Sequence, residues 1–74
     1  MQSIVGTMVI AQEGRFQLLD RDGVGHQFLL HYGSAVEPDQ LPPLLNRRVR
    51  VSYRPAVTAH IIGHAAVHID LLED

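Results

Sequence analysis

Clusters of turn-forming residues cut this chain into five short segments, and that punctuation limits its fold more than any other feature. The breaks fall at Glu13-Gly14, at "DRDGVG" (20–25), at "GSAVEPDQLPP" (33–43) and at "RPAVT" (54–58). Glycine and proline at these points supply turns and stop helices. The segments between them are apolar and often β-branched, which favours a small all-β barrel over a helical bundle.

The clearest segment is "RVRVSYR" (48–54), where Val49, Val51 and Tyr53 alternate with Arg48, Arg50, Ser52 and Arg54. Alternation at period 2 marks a strand with one buried face. "RFQLLD" (15–20) puts Phe16 and Leu18 on one face, and "HQFLLHY" (26–32) does the same with Phe28, Leu30 and Tyr32. Asp20-Arg21-Asp22-Gly23 joins these two as a hairpin turn. "SIVGTMVIA" (3–11) is the first strand, and Gly6 within it predicts a bulge or a sharp bend. Pro38, Pro42 and Pro43 forbid a long helix, but Leu41, Leu44 and Leu45 predict a short helical turn that caps the barrel with leucines.

In the last segment, 59–72, two periodicities compete. At period 2, Ala59, Ile61, Gly63, Ala65, Val67, Ile69 and Leu71 form an apolar or small face, and His60, Ile62, His64, Ala66, His68 and Asp70 form the other. At period 3.6 the stripe Ile61, Ile62, Ala65, Ile69, Leu72 leaves Val67 and Leu71 among the histidines. The strand reading fits better.

Three strands, a helical linker and two strands give the element order of an OB-type barrel. "IVGTMVIAQEGRFQLLDRDGVGHQFLL" resembles the opening of small OB domains such as the bacterial translation initiation factor one family and S1-type RNA-binding modules. "NRRVRVSYRP" stands where that family has its "G-D-x-V-x-V" strand. The resemblance implies an RNA-binding barrel, but here the basic charge is missing and Asn46-Arg47 replaces the acidic turn. An SH3-like or Sm-like barrel is the alternative. The expected fold is thus mostly β: a single five-stranded OB-like barrel domain over 1–74, with a short helical turn between strands 3 and 4.

With 74 residues, a chain buries only about 60% of its unfolded surface, so the core leaves a narrow margin of stability. The absence of cysteine excludes disulfides and thiolate zinc sites. A net charge of −2 argues against a strong, sequence-independent polyanion binder. "MQSIVGTMVIAQEG" lacks the basic start of a secretory leader, and no run approaches the ~20 apolar residues of a membrane helix. The expected setting is the cytoplasm, away from membranes.

His60, His64 and His68 are spaced four apart. In a strand, that spacing separates neighbours by about 13 Å, too far to share one zinc ion. In a helix, His64 and His68 would be close enough to chelate, with His26, His31 and Asp70 as the remaining candidates. The strand reading therefore predicts no metal, and nothing in the sequence calls for a cofactor.

The arginines carry more weight. Arg47, Arg48, Arg50 and Arg54 fall in a stretch without acids, and Arg48, Arg50 and Arg54 share the outward face of strand 4. Pairing with strand 5 would extend that face through His60 and His64 into one Arg/His surface. Such a surface suits an acidic partner or a phosphate backbone. Oligonucleotide binding on an OB surface also uses exposed aromatics, whereas Phe16, Phe28, Tyr32 and Tyr53 all fall on apolar faces. "DRDG" lacks the remaining ligands of a calcium loop. Ser3, Ser34 and Ser52 sit in no nucleophile motif, and no glycine loop is built to cradle phosphate.

The expectation is a small non-catalytic binding module, not an enzyme, acting through a protein partner or self-association. Its motive is an edge strand 5 with outward Ile62 and Ala66. The alternative is weak single-stranded RNA or DNA binding through Arg48, Arg50, Arg54, His60 and His64.

Overall fold

The structure is a computed structural model and describes residues 2–31, 33–54 and 64–72. It contains five strands: β1 (Gln2–Gln12), β2 (Arg15–Leu19), β3 (Gly25–Leu30), β4 (Arg48–Arg54) and β5 (His64–Leu71). They close into a barrel in the order β1-β2-β3-β5-β4, an OB-like arrangement in which β3 and β5 run parallel and the other pairs antiparallel. Among the described residues, no helix is long and apolar enough to cross a membrane.

Two turns set the β1-β2-β3 meander. Glu13 and Gly14 both take positive φ (50° and 81°), the geometry whose twist matches a two-residue hairpin. The Gly14 carbonyl also accepts the Leu30 N–H at 2.8 Å, tying this turn to the end of β3. In the second turn, Asp20 Oδ1 accepts the N–H groups of Asp22 and Val24, both at 2.9 Å, while Gly23 adopts φ 80°.

β1 serves two neighbours in succession. Gln2 to Thr7 pair with β4, and Thr7 to Gln12 pair with β2. The sequence placed a bulge or sharp bend at Gly6, but the bulge lies at Val9, where the register slips between Met8 and Ile10. Gly6 has a different task. A Cβ there would stand 2.7 Å from the Leu19 carbonyl oxygen, so only glycine lets β1 pass this close to the end of β2. Opposite Met8, Asn46 at φ 65° and Arg47 form a second bulge, with Met8 N–H donating to Arg47 O and Asn46 N–H donating to Met8 O. Asparagine tolerates this left-handed conformation better than most residues.

The core consists of Met8, Phe16, Leu18, Phe28, Leu41, Val49, Val51 and Ala66. Phe16 stacks on Phe28 at 5.1 Å, and Tyr53 meets Phe28 edge-on at 5.4 Å. Such pairs contribute roughly 0.5–1.5 kcal/mol each beyond burial. As expected, the β3–β4 connection carries short helical turns, Pro38–Gln40 and Pro42–Leu44, which plug the barrel with buried Leu41 and half-buried Leu44 and Leu45. The strand reading of 59–72 holds for His64–Leu71. The portion at 59–63 and Tyr32 lie outside the described residues.

Strand 5 requires a correction. Ser52 opposes His68 but Tyr53 opposes Ala66, so Val67 is an extra residue that reverses the alternation. After it, Ile69 faces the core while His68 and Asp70 face out, as the sequence suggested. Before it, the faces are exchanged: Ala66 is fully buried and His64 turns inward. Nor is the start of β5 an edge, because its residues 64–66 pair with β3 and residues 65–66 also pair with β4.

Replacing Gly6 with alanine should cost about 1–3 kcal/mol through overpacking against a backbone oxygen. Urea denaturation measures this directly, and an unchanged midpoint would show that β1 does not need the close approach.

Candidate binding surfaces

The outer face of β4 is as the alternation predicted: Arg48, Arg50 and Arg54 are all exposed. Its extension onto β5 is not. His64 leaves the surface, and His60 lies outside the described residues. The positions opposite the arginines are Asp70 against Arg50, His68 against Ser52, and Ala65 against Arg54. His68 Nε2 and Asp70 Oδ1 are 2.7 Å apart, and both side chains are half exposed. The expected Arg/His surface therefore becomes three arginines interrupted by a histidine–aspartate pair, with a carboxylate directly across from its central guanidinium.

His64 is a packing residue in this fold. Its ring lies 4.6 Å from that of Tyr53 and 6.1 Å from Phe28, extending the aromatic stack toward the β3–β5 seam. Its Nδ1 is buried with no hydrogen-bond partner among the described residues. His64 and His68 point to opposite faces of one strand, so they cannot grip a common ion. Among the described residues, no cluster of three or more His, Asp or Glu side chains converges.

Sequence reasoning missed a groove of about 490 Å³ between the first half of β1 and the β2–β3 turn. Val5, Gly6 and Thr7 form one wall; Leu19 and the charged turn residues Asp20, Arg21 and Asp22 form the other. Leu19 is 38% exposed, and Val24 at the end of the same turn is 53% exposed. The groove exists because β2 stops at Leu19, opposite Thr7, while β1 runs on to Gln2. Among the described residues, Gln2 to Gly6 pair along one edge only. The sequence signal was the length mismatch between an eleven-residue β1 and a five-residue β2.

A second open depression of about 440 Å³ lies on the outer face of β1, β2 and β3. Polar Gln12, Arg15, Gln17 and Gln27 line it beside exposed Ile10. It presents hydrogen-bonding amides, but its aromatic lining, Phe16, is 1% exposed and cannot offer a stacking face.

Beside the groove, the His26 side chain hydrogen-bonds to Asp20 Oδ2 at 2.9 Å. That contact, with the backbone N–H groups of Val24 and Asp22, holds the Asp20 carboxyl below its ordinary value of 3.8. No known protein family, curated protein or solved structure matches the chain.

Replacing His64 with phenylalanine keeps the stack and removes an unpartnered buried nitrogen, so stability should hold or rise by about 1 kcal/mol. A clear loss in chemical denaturation would mean that the nitrogen has a partner. For Asp20, a depressed carboxyl stabilises the fold above its unfolded value, and that contribution disappears as pH falls through the lower folded value. Amide NMR shifts of Asp22 and Val24 should therefore titrate together below pH 3.8. In Asp20→Asn that joint titration should vanish, and its persistence would contradict the assigned anchor.

Proposed function

We propose that this barrel is a small non-catalytic binding module that acts through protein–protein interaction. The observation carrying this reading is the open edge of β1 beside the groove. An edge strand with unpaired backbone groups and apolar neighbours is a template for an added strand. Val5 and Leu19 supply the apolar neighbours, and the groove is open along the strand. Among the described residues, the fully buried side chains are all apolar.

The second reading is weak single-stranded RNA or DNA binding, in line with the small RNA-binding OB modules whose pattern the sequence resembles. It is favoured by Arg48, Arg50 and Arg54 sharing one exposed face. Asp70 opposite Arg50 works against it, as does the inward orientation of Phe16, Phe28 and Tyr53. Affinity on that face would fall steeply with salt through counterion release.

A photoreactive side chain placed at Ser3 or at Arg50 separates the two readings. In cell extract, the Ser3 probe should cross-link to protein and the Arg50 probe should not cross-link to nucleic acid. Nucleic-acid adducts at Arg50, without protein adducts at Ser3, would reverse the order of the two readings.

A further inference from the structure

We infer that the β1 edge takes a second copy of this chain, docked β1 against β1 about a twofold axis. The inference rests on the reading of that edge as a protein-binding surface, and it follows from the direction of the backbone groups. Met8 spends its N–H and C=O on Arg47 and Asn46, toward β4. Directions alternate along a strand, so Gly6 and Ile4 also point to β4, while Ser3 and Val5 point to the open side. Thr7 shares that open-side direction, and there it meets Leu19 of β2.

Two copies aligned antiparallel with Ile4 opposite Ile4 place Ser3 of each copy against Val5 of the other. Both are hydrogen-bonding positions, and opposed residues of this kind exchange both bonds. Four bonds result, and every outward group of Ser3 and Val5 is used. A register centred on Ser3 sets Val5 against residue 1, outside the described residues. One centred on Val5 sets Ser3 against Thr7, whose groups are already engaged by β2. Among the described residues, the Ile4 register is thus the one that both copies satisfy fully, and its symmetry closes the assembly at two.

Charge agrees with this register. Gln2 lies beside Tyr53, so the β4 end carrying Arg54 accompanies the Gln2 end of β1. In the pair, that basic end comes to the Gly6–Thr7 end of the other copy, beside a turn whose two acids, Asp20 and Asp22, outnumber its one cation, Arg21. Symmetry repeats the encounter on the other side.

Light scattering across a concentration series should show a monomer–dimer equilibrium. Val5→Pro removes an outward N–H without touching a bond to β4, which is where proline is tolerated in a sheet. It should weaken dimerisation roughly tenfold or more, since symmetry counts the lost N–H twice. Should circular dichroism show Val5→Pro unfolded, charge exchange gives the answer instead. Asp22→Arg and Arg54→Asp should each weaken the dimer, and the double variant should restore it. The chain has no cysteine, so Ile4→Cys should form a disulfide dimer that a non-reducing gel displays. A monomer at every concentration overturns the inference, as does a dimer indifferent to Val5→Pro and to the charge exchange. A monomer whose Ser3 probe still cross-links to another protein would overturn the self-pairing and leave the protein-binding reading standing. Absence of both would remove the two together.

Discussion

One strand has to hold the barrel together, and the remaining geometry follows from that demand. β1 leaves β4 for β2 partway along its length, around Thr7. A straight, fully side-chained strand could not do this. Gly6 removes the atom that would collide with Leu19, and the bulge at Val9 re-aims the strand so that Ala11 meets Phe16 on the inner side. The same geometry has a cost in exposed backbone. Where β1 serves β4, it has left β2 behind, and its other edge is open among the described residues.

Among the described residues eight are fully buried and apolar, and packing around them explains the treatment of His64. The aromatic rings are drawn into one continuous cluster, Phe16 stacked on Phe28, Phe28 edge-on to Tyr53, Tyr53 against His64. Spending a histidine on packing strands a ring nitrogen, a modest penalty against the contact area gained where β3 and β5 meet in parallel. What remains outside is backbone, scattered apolar side chains and charges of mixed sign.

Much of the fold was legible because the local signals were redundant. The alternation of "RVRVSYR" set which residues of β4 face the core, the Asp20 and Gly23 turn set the β2–β3 hairpin, and three prolines with three leucines set the plug. The errors on β5 have a single cause. Period-2 reading assumes an unbroken strand, and one extra residue at Val67 inverts the assignments at residues 64–66, sending His64 and Ala66 inward. Nothing in "HAAVHID" announces that bulge, since its position is dictated by how β5 must meet both β3 and β4. The groove was hidden for a related reason: it belongs to no residue, only to the difference in length between β1 and β2.

The central claim is that β1 has one satisfied edge and one open edge along Gln2 to Gly6. Residue-resolved amide hydrogen exchange on a dilute sample tests it most directly. The amides of Ile4 and Gly6, bonded to β4, should be protected, while those of Ser3 and Val5 exchange at nearly the rate of an unfolded chain. Raising the concentration should then slow Ser3 and Val5 and leave Ile4 and Gly6 unchanged. Equal protection of all four amides in the dilute monomer would mean the edge is already covered, and the account built on it would be wrong.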